Sequence, residues 1–136
     1  MKPATLDSIP DAPLIDLQGS FHCDEALACW MLTQLPEYKD ARIVRTRDPA
    51  VIEKADIVVD VGAVYDPATH RYDHHQREFT GTFDDKHKIR LSSAGLVYKH
   101  FGKRVISELI PGESEPTQEL VCSHPLLFVP FLALFV

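Results

Sequence analysis

The stretch Asp56-Ile57-Val58-Val59-Asp60-Val61-Gly62 constrains this chain more than any other. Its apolar residues are consecutive and β-branched, so as a strand it turns apolar side chains to both faces of a sheet, and both must be covered. That predicts an α/β fold, with helices over a sheet whose neighbouring strands run parallel. The other segments agree. Leu14 to Leu17 reads as a strand feeding the loop Gln18-Gly19-Ser20. Asp24-Glu25, followed by an apolar run to Leu32 and closed by Leu35-Pro36, reads as a helix. That helix is apolar nearly all round, which predicts that it is buried. Residues 42–47 read as a strand entering the Asp48-Pro49 turn, and residues 51–55 as a helical turn. Ser92-Ser93 can cap a helix through Phe101, with Gly102 as a break or C-terminal cap and a further turn or two to Ile110.

At 136 residues the chain has the length of one domain, enough to fold without disulfides or a structural metal. Twenty acidic against fourteen basic residues give a net charge of -6. This excludes a protein that coats nucleic acid by charge alone, while Arg42, Arg45, Arg47, Lys99, Lys103 and Arg104 could still form a basic face. Three cysteines without a C-x-x-C spacing exclude a disulfide framework or zinc ribbon and suit a reducing, intracellular compartment. Residues 1–13 carry three prolines and no apolar core, and are expected to be disordered rather than a signal or transit peptide. Residues 111–119 are polar and read as a linker. The apolar tail Leu126 to Val136 is interrupted by Pro130 and too short for a membrane span, which needs about 20 residues. It calls for cover from another surface, either a protein partner or a second copy.

Three polar constellations could carry chemistry. His22-Cys23-Asp24-Glu25 lies where the first strand and loop meet the first helix; His22 and Asp24, alternating on an extended loop, could face one ligand, or Asp24 could simply cap the helix. Asp60 follows three apolar strand residues and is costly to bury unpaired, so it either binds a metal or caps the next turn. His70-Arg71-Tyr72-Asp73-His74-His75-Gln76-Arg77 gathers three of seven histidines with both signs of charge. It is either a solvated loop or a set of N and O donors suited to Mn²⁺, Fe²⁺ or Zn²⁺. Together the three groups could hold two metal ions bridged by Asp60 that activate a water for in-line attack on phosphorus.

At this point the chain resembles a known family. Gly19-Ser20-Phe21-His22-Cys23-Asp24-Glu25-Ala26-Leu27-Ala28, Arg45-Thr46-Arg47-Asp48-Pro49, Asp56 to Gly62, Arg71-Tyr72-Asp73-His74-His75-Gln76-Arg77 and Leu91-Ser92-Ser93-Ala94-Gly95 are similar to the melanocyte-proliferating-gene exonucleases of the DHH phosphoesterase superfamily. The resemblance runs from about residue 15 to 110. It implies a doubly wound, mostly parallel DHH-type domain over residues 14–110. It also implies 3′ to 5′ exonuclease action on RNA with Mn²⁺, or Mg²⁺, and a nuclear and mitochondrial location. By the same resemblance His22, Asp24, Asp60, Asp73 and His74 are metal ligands, with Asp60 the bridge, and His75 contacts the scissile phosphate. Arg71 and Arg77 are candidate phosphate contacts by charge and proximity.

The chain departs from the family pattern twice. The family opens with Thr-His-Asn-Gly, whose histidine is a ligand, whereas here Asp16-Leu17-Gln18-Gly19 puts Leu17 in that place. The family's later Asp-Asn-Gly motif and its C-terminal substrate domain are not found, so the chain reads as a truncated, weak or inactive form. Two rival functions stay open: a non-catalytic binding isoform that docks through its tail, and a phosphoesterase or pyrophosphatase acting on small substrates.

Overall fold

A computed structural model describes residues 14–17 and 22–110. The expectations for the N-terminal segment, the polar linker and the apolar tail lie outside the described residues. Among the described residues five strands and three α-helices follow one another, β1 (Leu14–Leu17), α1 (Cys23–Thr33), β2 (Arg42–Arg45), α2 (Pro49–Lys54), β3 (Ile57–Val59), β4 (Tyr65–Asp66), β5 (Arg71–Tyr72) and α3 (Ser93–Leu109), with a 3-10 turn at Pro67–Thr69 between β4 and β5. The strands form one sheet in the order β2-β1-β3-β5-β4, parallel except for the β4–β5 pair. The fold is α/β, as the apolar run in β3 requires.

All three residues of β3 are buried, and they alternate between two cores. Ile57 and Val59 join Ile15, Tyr72 and the buried faces of α1 and α3. Val58 joins Ala55, Val61 and, from α2, Val51 and Ile52. Asp48 caps α2 by accepting the Ala50 N–H at 3.0 Å, with Pro49 beginning the helix, so α2 starts two residues before the turn expected from sequence.

Three expectations change. The first helix is not buried all round: Trp30 is 43% exposed and, with Met31, Tyr98, Val105, Ile106, Leu109 and Ile110, borders an apolar groove of about 160 Å³. The β4–β5 hairpin was not expected, because two-residue strands carry no readable alternation. Gly102 does not break α3, which continues to Leu109. A Cβ at Gly102 would lie 2.8 Å from two ring carbons of the buried Tyr98, so the glycine makes room for that ring. Gly102→Ala is therefore expected to destabilise the protein. Alanine is favoured over glycine in a helix by about 1 kcal/mol, but overpacking costs about 1–3 kcal/mol. A lower melting temperature is the expected result, and a rise would show that the Tyr98 ring yields.

Candidate metal centre

Three strands deliver polar residues to one edge of the sheet. β1 leads to His22, β3 to Asp60 and β5 to Asp73, His74 and His75. The connection from β1 through α1 leads to β2 on one side, and the connection from β2 through α2 returns past β1 to β3. The order reverses between β1 and β3, and beyond the carboxyl ends of such strands a crevice opens where ligands bind. Asp60 sits at that reversal with φ 61°, in the left-handed region that aspartate tolerates better than most residues. Its N–H donates to Tyr72 O at 3.1 Å. The turn continues through Gly62 (φ 91°) and Ala63 (φ 53°), whose N–H donates to Asp73 Oδ2 at 2.7 Å. The loop carrying Asp60 is thus tied to the loop carrying the two histidines.

Asp60 is 1% exposed. Its Oδ1 accepts the Ser93 hydroxyl at 3.0 Å and lies 3.5 Å from His74 Nε2 and 3.7 Å from His75 Nδ1. His22 Nδ1 approaches Oδ2 at 3.6 Å, yet Oδ2 is buried with no hydrogen bond among the described residues. Asp60, His74 and His75 each offer one ligand atom, all within 4.8 Å of one another. Ligands about 2.0–2.2 Å from a metal stand at most about 4.4 Å apart, so a small inward movement would close this set on a single ion. A buried carboxylate oxygen without a donor is costly. The residues therefore fit a divalent cation, and the mixed imidazole and carboxylate donors suit a first-row ion.

The charges are interlocked. Burial works against ionised Asp60, but hydrogen bonds from His74 and Ser93 and the charge of His75 hold its carboxyl below the usual range. Burial also disfavours the His74 imidazolium, yet its bond to Asp60 and the charges of Asp24, Asp60 and Asp73 raise its pKa. These carboxylates favour the protonated form of His74, and a metal ion held at its Nε2 would compete with that proton.

The other candidate residues take separate positions. His22 and Asp24 do not alternate on an extended loop: His22 is the N-cap of α1 and Asp24 is in its first turn. Asp24 faces the cluster, 3.7 Å from His74 Nε2, but its oxygens accept the Ser92 hydroxyl (2.8 Å), Ser93 N–H (3.0 Å) and Ala94 N–H (2.7 Å). It caps the start of α3 rather than its own helix. Burial pushes its carboxyl up, against the bonds from Ala94 and Ser92. Asp73 Oδ1 accepts from His75 N (3.1 Å) and lies 2.6 Å from His75 Nδ1, which directs the His75 proton onto that nitrogen.

Arg71 is placed apart from the cluster, where its guanidinium donates to the carbonyls of Thr69, Ile52 and Ala55 and holds the end of α2. Arg77 is exposed beyond the histidines. The β1 register sets Leu17 opposite Val59, one residue before Asp60. Sequence reasoning missed Ser93 as the support of Asp60. It also missed Glu25, which is fully buried, paired with Arg45 and accepts the His22 N–H at 2.9 Å. The three-residue spacing from His22 to Glu25 is that of a capping box and was the available signal.

The family model MYG1_exonuc, described as "Uncharacterised protein family (UPF0160)", matches residues 14–125. The chain is 54% identical over 110 residues to the MYG1 protein of Dictyostelium discoideum, covering 81% of this chain and 33% of that one. It is 58% identical over 102 residues to the MYG1 exonuclease of Homo sapiens, covering 71% and 27%. The MYG1 protein C694.04c of Schizosaccharomyces pombe is 48% identical over 114 residues, covering 84% and 35%. The chain thus spans about a third of the length of these relatives or less. No solved structure matches it. Among the described residues no helix is long and apolar enough to cross a membrane.

Proposed function

Because the chain belongs to the MYG1_exonuc family, we propose that residues 14–110 form a doubly wound, DHH-type phosphoesterase domain that hydrolyses phosphodiesters with Mn²⁺, acting from the 3′ end of RNA. The observation that carries this reading is the buried, unpartnered Oδ2 of Asp60 beside two imidazoles. The relative from Homo sapiens, an exonuclease by name, supplies the reaction class. In this reading Asp60, His74 and His75 hold the ion, with His22 and Asp24 at its margins. A bound Mn²⁺ supplies an activated water and neutralises charge developing on phosphorus.

The protein groups have separate tasks. Ser93 fixes the Asp60 carboxylate, and Asp73 fixes the orientation of the half-exposed His75 at the mouth of the site. With Nδ1 turned to Asp73, His75 has Nε2 left to hold the ion. His74, enclosed on the inner side, would hold the ion through its Nε2, the nitrogen that faces Asp24 and Asp60.

Titration calorimetry with Mn²⁺ tests this reading on the chain as it stands and on Leu17→His, which restores the family's histidine at the position opposite Val59. The chain is expected to bind Mn²⁺ weakly and to release mononucleotides slowly from the 3′ end of RNA. Leu17→His is expected to bind roughly 10–100-fold more tightly. Absence of Mn²⁺ binding in both proteins would overturn the proposal.

A further inference from the structure

A cavity of about 700 Å³ opens beside the candidate centre, lined by Asp60, Asp73 and His75 on one wall and by Arg47, Pro49, Ile52 and Glu53 on another. Its volume lies in the range of small-ligand sites. Its contents are unevenly distributed. Carboxylates and an imidazole mark the end where a metal would sit, and Pro49, Ile52 and Val61 provide apolar surface. Arg47 is the one lysine or arginine in the described lining. It is exposed, and it makes no hydrogen bond or ion pair among the described residues.

The backbone on either side of Arg47 is fixed. The Asp48 N–H donates to Thr46 Oγ1 at 3.0 Å, and Asp48 in turn caps α2. Arg71, three residues before His74, is spent on the carbonyls of Ile52 and Ala55 and so helps build the α2 side of the cavity. A phosphate approaching Asp60 and Asp73 meets negative charge, so it needs cations on its open side as well as from the metal.

We propose that this cavity is the seat of the terminal nucleotide of the substrate, and that Arg47 is a substrate-binding residue that clamps its phosphate. This rests on the reading of the metal centre given above. The planar guanidinium matches two phosphate oxygens, and the apolar surface of Pro49, Ile52 and Val61 accommodates sugar and base. Glu53 suits a sugar hydroxyl and disfavours a second phosphate beside it.

The test titrates adenosine 5′-monophosphate, and separately inorganic phosphate, into the Mn²⁺-loaded chain and its Arg47→Met and Arg47→Lys variants. Arg47 is exposed, so the variants are expected to keep their melting temperature and Mn²⁺ affinity. The mononucleotide is expected to bind more tightly than inorganic phosphate. Arg47→Met is expected to weaken it by at least about 10-fold, the scale of one charge-assisted bond, with partial recovery in Arg47→Lys. Equal nucleotide affinity in Arg47→Met overturns the role of Arg47. A chain that binds Mn²⁺ but prefers inorganic phosphate overturns the nucleotide seat while leaving the metal centre standing. A wild-type chain that binds no Mn²⁺ overturns the metal centre and, with it, this proposal.

Discussion

Asp60→Asn is expected to abolish Mn²⁺ binding while leaving the fold intact. Asparagine preserves the side-chain volume and tolerates the left-handed backbone that position 60 requires (φ 61°), whereas alanine adds backbone strain to the loss of the carboxylate. What asparagine removes is the charge at the point where His22, His74 and His75 converge. Loss of a supporting partner lowers metal affinity about 10–100-fold; loss of the central anionic ligand is expected to exceed that. The readout is the melting temperature with and without Mn²⁺. A ligand present at about 100 times its Kd stabilises the folded state by about 2.7 kcal/mol, and that increment should be missing in Asp60→Asn. A variant that still gains the full stabilisation would show that the ion sits elsewhere.

The same substitution has a pH consequence in the metal-free protein. The Asp60 carboxyl is held below its usual range, despite burial, by His74 and Ser93. A lowered carboxylate pKa adds stability above the unfolded-state value, and that stability is lost as pH falls through the folded-state value. Asparagine removes this contribution, so the variant's stability should vary less with pH on the acid side.

What the sequence makes legible here is local, and what it hides is long-range. The bounds of β1 coincide with the short apolar run that suggests it, and the consecutive branched residues of β3 require the two cores that cover it. The strand ends at Val59 rather than near Gly62, because Asp60 turns into left-handed backbone, its N–H making the last bond to β5. β4 and β5 are two residues each and exist through pairing with each other and with β3, so no period marks them in advance. Of the three polar constellations read from sequence, Asp24, Asp60, His74 and His75 come within 4 Å of one another in a chain of contacts, since the parallel strands end at one edge of the sheet. Their individual tasks could not be read in the same way. Glu25 looks like an acidic first-turn residue, and only the fold sets it against Arg45, 20 residues away. Arg71 looks like a phosphate contact, and only the fold gives its guanidinium three carbonyls.

Asp24→Ala is expected to lower the stability of the metal-free protein substantially, and this separates its part from that of Asp60. Asp24 belongs to α1, but its carboxylate accepts from Ser92, Ser93 and Ala94 at the start of α3, across 68 to 70 residues of sequence. A negative charge there satisfies helix N-terminal donors that have no other partner and complements the helix dipole. Its alanine variant leaves these three donors without their acceptor. Each buried donor left unsatisfied costs about 1–3 kcal/mol, so a loss of about 3 kcal/mol or more is expected. In a chain of this size that corresponds to a fall in melting temperature on the order of 10 °C. Asp24→Asn should recover little, because an amide has one acceptor oxygen where the carboxylate uses two. Burial raises the Asp24 pKa, so its ionisation opposes folding and is tolerated because of these bonds. A residue that served only as a metal ligand would behave in the opposite way. Its removal would relieve repulsion with Asp60 and leave the metal-free protein as stable as before or more so. A melting temperature unchanged without Mn²⁺ and lowered only in its presence would therefore assign Asp24 to the ion rather than to the joint between the two helices.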